Sequence, residues 1–544
     1  MTPDPGNTAH RAPDTSVELW ELTLGELLAE AASDSGDQVA LLYGPDGRSW
    51  TYTELDAAAT GVAGAIAGIL DPGDRLAVWS TGTPEWVLLQ FGAARAGVIL
   101  VPLNPAYQAT ELSHALRQSR SRAVFHGPEV RGRSLREVVE RVRPDCPELE
   151  LVFDLERLDG FVADTRALPL PVVDAHDPVM IQYTSGTTGK PKGAMLTHAG
   201  VVNNARFSAL RAGLPDDGTD GGVWLNPLPL FHTGGCVFNA LGSMATRGRH
   251  VLMPAWDPGQ ALELIERERV TFLCAVPTIL IGMIDHPDFG SRDHSSLRYV
   301  LSGGTTIPPD LVRRFESTLD IDYTMVFGQT EAGPTVCMTF PDDTPEDKSG
   351  TIGVPLPHTE VKIVDPDTGA TAAFDTPGEI CTRGYGRMLG YFELPEETAT
   401  AIDQDGWLHT GDLGQLDARG YLQITGRLKD IIRRGGETVS PRAIEDLLFS
   451  QPGVGEVAVV GVPDERYGEQ VAAFVLPAAD AAPDVEALRA VTAEHLARYK
   501  VPAYWVVVDE IPRTPSGKVQ KFVLRDRFVA GEYDVGDHDR ASVR

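Results

Sequence analysis

The strongest chemical signal in this chain is the segment YTSGTTGKPKG at residues 183–193. Gly186, Gly189 and Gly193 let the backbone approach an anion closely. Thr184, Ser185, Thr187 and Thr188 add hydroxyl donors, and Lys190 and Lys192 add positive charge. The composition is that of a phosphate cradle. The spacing excludes a Walker A loop, which needs Gly, four residues, then Gly-Lys-Ser/Thr; Thr184 and Pro191 stand in the wrong places. Three further segments have comparable character. VLSGGTTIP (300–308) ends in a double glycine, a turn suited to a flat ring lying against backbone. GWLHTGDLG (406–414) sets Asp412 in a glycine-flanked turn, where its carboxylate can accept two hydrogen bonds. IPRTPSGKVQKFVLR (511–525) holds Lys518 in a Pro/Ser/Gly loop, exposed by composition.

The background sharpens these signals. The 544 residues are 42% hydrophobic and 23% charged, which is ordinary globular usage and enough for two or three domains. Acidic residues outnumber basic ones by 77 to 47, for a formal charge of −30, which argues against nucleic acid or an anionic membrane as main partner. Only 8 of the basic residues are lysines, against 39 arginines, so any clustering of lysine is informative. The five cysteines are far apart without a CxxC pair, so neither a disulfide framework nor a zinc site is expected, and a reducing cytoplasmic setting fits. The polar N-terminal residues do not read as a secretory signal. The most apolar long stretch, Trp86 to Leu103, is broken by Gln90 and Arg95 and reads as a buried helix and strand, not a membrane span.

These segments need a scaffold, and the hydrophobic pattern predicts one. From about residue 74, short apolar runs (75–80, 98–103, 122–126, 151–155) alternate with amphipathic stretches (84–96, 109–117, 135–142), implying a mostly parallel sheet with covering helices. The rhythm continues through runs at 179–183, 222–225, 250–253, 271–275 and 298–301, and a helix is expected to start near Thr197. Beyond about residue 350, short strands at 360–364, 379–382 and 421–425 are joined by Gly/Asp/Pro turns, suggesting a smaller β-rich subdomain. From Arg427 a final unit reads β, α, β, β, α, β. The fold class expected is α/β: a large N-terminal domain (1–426, its β-rich part about 350–426), a small α+β C-terminal domain (427–531) and a polar tail (532–544).

With these motifs in this order, the chain resembles the adenylate-forming enzymes, which include acyl-CoA synthetases, carrier-loading adenylation domains and beetle luciferases. The resemblance extends over about residues 20 to 530. It implies that the glycine-rich loop (Thr184, Ser185, Gly186, Thr187, Thr188, with Lys192) holds phosphates. Adenine would lie on Gly303, Gly304 and Thr305 and against Phe327 of VFGQTEAG (326–333), where the family usually carries Tyr; Gly328 belongs to the same turn. Thr330 would contact the α-phosphate. Glu331 would ligate Mg²⁺, an ion that prefers hard oxygen donors. Asp412 and Arg427 would hold the ribose and Arg433 the nucleotide. Lys429 would be the hinge of a mobile small domain. Lys518 would neutralise charge as a carboxylate attacks the α-phosphorus. After rotation of the small domain, the thin turn at Gly435 and Gly436 would admit the pantetheine arm of CoA, with Arg434 toward its phosphates. Four of the eight lysines fall at positions that this resemblance makes functional.

The resemblance places the acyl pocket at NPLPLFHTGG (226–235). Amino-acid-activating members carry an Asp just after the aromatic residue, to hold the substrate ammonium. Here His232 follows Phe231, so the acid expected lacks an α-amino group, with His232 as a catalytic gate near its carboxylate. Gly234, Gly235 and Cys236 are small, and Phe238 and Val276 add apolar wall, suiting a medium-to-long alkyl or bulky cyclic acid. The leading expectation is an ATP-dependent acyl-CoA synthetase using Mg²⁺ and CoA. The alternatives are a ligase loading a carrier protein in trans and a luciferase-like oxidoreductase. A homodimer is compatible with either kind of ligase.

Overall fold

The computed structural model describes residues 8–184, 191–303, 307–435, 437–478, 483–513 and 519–533. Four main sheets account for most strands. The first has seven strands in the order Gly390–Tyr391, Lys192–Thr197, Pro178–Thr184, Ile99–Leu103, Arg75–Trp79, Ala123–His126, Leu151–Asp154. Its last five are parallel to one another, as strand-helix alternation requires, and its first two run antiparallel. The second has nine strands and is parallel from Asp322–Gly328 through Tyr299–Gly303, Phe272–Cys274, Val223–Asn226 and Arg249–Leu252 to Val39–Tyr43. The third is the expected β-rich part: five antiparallel strands, His10–Arg11, Thr359–Val364, Gly378–Gly384, Leu408–Leu416 and Leu422–Arg427.

Helix Pro84–Arg95 shows how local sequence sets an element. Thr83 caps it through its hydroxyl, Pro84 fits its first turn, and every residue from Trp86 to Ala94 is buried. A helix apolar all round belongs between layers, and the strand that follows, Ile99–Leu103, is buried throughout. The one strongly polar residue of the helix between Trp86 and Ala94, Gln90, is 1% exposed. All five cysteines are buried and unpaired. No helix among the described residues is long and apolar enough to cross a membrane.

Two differences from the sequence reading bear on the site. The helix expected near Thr197 is present, but an unforeseen strand separates it from the glycine-rich segment. Strand Lys192–Thr197 comes first, and the helix His198–Arg211 follows, capped by Thr197. Six residues of strand are about 20 Å long, so the helix N-terminus does not reach the loop. Thr184 and Lys192 are register partners, so the strands on either side of the glycine-rich segment form an antiparallel hairpin. The last unit is also richer than β, α, β, β, α, β. It adds a hairpin, Ile432–Arg434 with Glu437–Val439, and a final helix, Lys521–Val529. Its long strands Val454–Asp464 and Gly468–Pro477 pair antiparallel, with Tyr504–Val507 alongside in parallel.

Candidate active site

The phosphate-cradle candidates Ser185, Gly186, Thr187 and Thr188 lie outside the described residues, as do Gly304, Thr305, Gly436 and Lys518. What surrounds the base of the hairpin is well defined. Thr184 Oγ1 donates to Glu331 Oε1 at 3.1 Å, and the Tyr391 phenol donates to the same oxygen at 2.9 Å. Lys192 lies over the Tyr391 ring, its Nζ 4.6 Å from the centroid. Burial and the adjoining Glu331 carboxylate both push the Tyr391 phenol well above its ordinary pKa, so it stays a donor. Three distant parts of the chain thus meet on one carboxylate. Among the described residues Glu331 Oε2 has no partner, which leaves one hard oxygen for a cation.

Glu331 is placed by its backbone. It sits in the single turn Thr330–Ala332, which follows strand Asp322–Gly328, and its carbonyl accepts the Met388 N–H at 2.9 Å. Gly328 is obligatory here, because a Cβ would lie 1.8 Å from the Pro334 carbonyl oxygen. Phe327, one residue earlier, is only 7% exposed and packs into the main core. Gly303, the other described adenine candidate, is a register partner of Val326, and a Cβ there would lie 2.8 Å from the Val326 oxygen. Tyr391 was not singled out in the sequence reading. It ends GRMLGY (386–391), whose main chain threads past Glu331 and the hairpin: Leu389 N–H donates to Met195 O and Phe392 N–H to Gly193 O. Its sequence signal was a glycine-spaced aromatic between a strand and a helix.

A second cluster holds Asp412 and Arg427. They are register partners on strands Leu408–Leu416 and Leu422–Arg427, with Nε 3.0 Å from Oδ1. Asp412 does not sit in the expected turn: it lies within strand Leu408–Leu416, at a register irregularity where Gly411 has φ +70°, braced from the neighbouring strand. Glu379, 8% exposed, accepts the Gly411 N–H at 3.1 Å through one carboxylate oxygen and meets His409 Nδ1 at 2.8 Å through the other. The Thr410 hydroxyl donates to Ile380 O at 2.7 Å. Glu379 and His409, too, were not read as site residues.

The small-domain candidates lie close together in sequence. Lys429 occupies the turn Leu428–Asp430 between strands Leu422–Arg427 and Ile432–Arg434. Arg433 is exposed, with Asp367 at 4.0 Å, and its N–H donates to Glu469. Arg434 is engaged within its own sheet, donating to Gln470 Oε1 at 2.5 Å and lying over the Tyr467 ring. Gly435 has φ +59° and donates to Tyr467 O, and a Cβ on it would meet that ring at 2.9 Å.

The residues expected to wall the acyl pocket differ in exposure. His232 is exposed and accepts the Gly234 N–H through Nδ1 at 3.1 Å. Phe231 precedes it, half-buried. Gly235 is small for a packing reason, since a Cβ would lie 2.3 Å from Pro229 O. Phe238, 4% exposed, packs with Trp224 and Phe272. Val276, 37% exposed, precedes helix Pro277–Ile284.

Glu331 held by Thr184 and Tyr391 at the base of the hairpin, and Asp412 paired with Arg427 on the β-rich sheet, are groups of the kind a nucleotide-handling α/β enzyme needs. The AMP-binding enzyme family matches residues 28–392, and the AMP-binding enzyme C-terminal domain matches residues 443–518. The chain is 36% identical over 543 residues to YngI of Bacillus subtilis (strain 168), assigned as an acyl-CoA synthetase, covering 94% of this chain and 98% of that one. It is 35% identical over 543 residues to the mitochondrial medium-chain acyl-CoA ligase ACSF2 of Bos taurus, covering 94% and 88%. ATP-bound MatB from Rhodopseudomonas palustris superimposes with a TM-score of 0.83 at 30% identity, covering 93% and 99%. The chain belongs to the AMP-binding enzyme family, whose members form adenylates with ATP. Within it, the enzyme is an acid–thiol ligase.

Proposed function

We propose that this enzyme activates an apolar carboxylic acid without an α-amino group, medium- to long-chain or bulky and cyclic, as acyl-AMP and transfers the acyl group to the thiol of CoA. The carrying observation is the Thr184–Glu331–Tyr391–Lys192 cluster at the base of the hairpin. In the first step an acid oxygen attacks the α-phosphorus, the bond to the β-phosphate oxygen breaks, and pyrophosphate leaves. The hairpin donors and Lys192 hold the phosphates, Asp412 and Arg427 the ribose, and Lys518 offsets the charge that builds in the transition state. Mg²⁺ at Glu331, when bound, would supply charge neutralisation on the phosphate oxygens. In the second step the CoA sulfur attacks the acyl carbon, the thiol gives up its proton, and AMP leaves. The small domain would pivot at Lys429 between the steps, bringing Gly435 and Gly436 to the thiol channel. His232 in place of an ammonium-binding Asp supports an acid without an α-amino group.

The test is a panel of acids assayed for ATP–pyrophosphate exchange and, by mass spectrometry, for CoA thioester. Saturable exchange with apolar acids and formation of the matching thioester are expected. Exchange without any CoA product at saturating CoA, together with acylation of a carrier protein, would transfer the assignment to carrier loading.

Tyr391→Phe tests the metal-site part of this reading. It removes one hydrogen bond to a carboxylate, an interaction of about 1.5–3 kcal/mol. The KM for magnesium–ATP should rise roughly tenfold, with the KM for the acid little changed. An unchanged ATP KM would show that the phenol does not hold Glu331 in place for the cation.

A further inference from the structure

The acyl wall is built on an unusual piece of backbone. Gly234–Asn239 forms a π-helix, a rare form that leaves the ordinary i→i−4 ladder incomplete. Three successive carbonyl oxygens in it accept side-chain amides. Asn239 Nδ2 donates to Gly234 O at 2.8 Å, Asn226 Nδ2 to Gly235 O at 3.4 Å, and Gln90 Nε2 to Cys236 O at 2.9 Å. All three donors are 0–1% exposed. They come from the π-helix itself, from the end of strand Val223–Asn226 and from the buried helix Pro84–Arg95. Asn226 is fixed in turn, accepting the Leu228 N–H at 3.0 Å and meeting His250 Nε2 at 3.1 Å. Gln182 adds a contact to the Cys236 sulfur at 3.2 Å.

Side chains cannot set the position of this wall at its centre, because Gly234 and Gly235 have none and Gly235 cannot gain one. Around Gly234 and Gly235 the main chain carries no side chain, so whatever holds its carbonyls determines where this stretch lies. Burying amides is costly, all the more so where Gln90 Oε1 and Asn239 Oδ1 have no partner among the described residues, and a wall needed only for apolarity would be backed by aliphatic residues. Here the deepest polar groups of three elements converge on three adjacent peptides.

We propose that Gln90, Asn226 and Asn239 are positioning residues that set the depth of the acyl pocket and so select the size of the acid. The inference rests on the reading of residues 231–238 as the acyl wall. Removing one donor lets the π-helix relax, moving the glycine surface relative to His232 while the nucleotide residues stay in place.

The test uses Gln90→Met, which keeps volume and loses the donor, and Asn239→Leu, each assayed on straight-chain acids from four to sixteen carbons. The ratio of kcat/KM between long and short acids should shift at least tenfold, with the KM for ATP within twofold of the parent. A uniform change across all acids, or none, would overturn the proposal. Should Gln90→Met fail to fold, Gln90→Asn, which keeps the amide but shortens its reach, carries the same expectation. Val276→Trp and His232→Ala on the same panel separate the two readings. If they shift acid preference and the amide variants do not, the positioning role fails alone. If none shifts it, the acyl-wall reading fails and takes this proposal with it.

Discussion

Lys518→Ala should lower ATP-dependent formation of the acyl-adenylate by roughly 10²–10³-fold, the effect of removing one preorganised transition-state donor. Thioester formation from a supplied acyl-adenylate should stay within a few-fold of the parent. The reason lies in where charge develops. Attack on the α-phosphorus adds negative charge to a nucleotide that is already polyanionic, and a cation aimed at that charge lowers the barrier directly. Thioester formation expels AMP from a carbonyl carbon and does not pass through that phosphorus. The protein's formal charge of −30 does not oppose this, because the surrounding field is screened over about 8 Å at physiological salt, so local cations prevail. Separate assays of pyrophosphate exchange and of thioester release from synthetic acyl-AMP measure the two steps. Equal losses in both would contradict the role given to Lys518.

Gly328→Ala should be nearly as damaging, by a different route. The added methyl would sit 1.8 Å from the Pro334 carbonyl oxygen and 2.8 Å from its carbon, both backbone atoms that cannot swing aside. The strand end or the Thr330–Ala332 turn must therefore move, carrying Glu331 away from Thr184 and Tyr391. Overpacking of this kind costs about 1–3 kcal/mol, occasionally more, so a fall of several degrees in Tm is expected. Pyrophosphate exchange should fall at least tenfold even well below the melting range, since displacement of about 1 Å at a reacting centre can cost about 10²-fold. A parental Tm with parental exchange would mean that the turn relaxes without moving the carboxylate.

Much of the architecture was legible because it rests on periodicity. The alternation of apolar runs and amphipathic stretches from residue 74 to 301 corresponds to the parallel parts of two sheets, and helix Leu135–Val142 begins and ends where expected. Strand Lys192–Thr197 was not legible. KGAMLT is short, starts with Lys-Gly and has no clean alternation; its extended form comes from pairing with Pro178–Thr184 on one side and Gly390–Tyr391 on the other. The hairpin around Arg434 and Gly435 was hidden for a related reason: three-residue strands carry too little pattern to separate from a glycine turn.

The site divides in the same way. Residue type and local spacing were enough to nominate the hydroxyl-lysine loop, because close backbone approach to an anion requires particular residues in a short context; Glu331, Asp412, Arg427 and Lys518 took their expected roles from the resemblance to the adenylate-forming enzymes. The residues that brace them carry no such mark. Tyr391 lies 60 positions from the carboxylate it holds, Glu379 32 from the Gly411 N–H it accepts, and Gln90 146 from the carbonyl it caps. In sequence each is an ordinary polar or aromatic residue. Their roles arise only when sheet order and helix packing bring them to a partner, since a hydrogen bond depends on a few ångströms in space and not on distance along the chain.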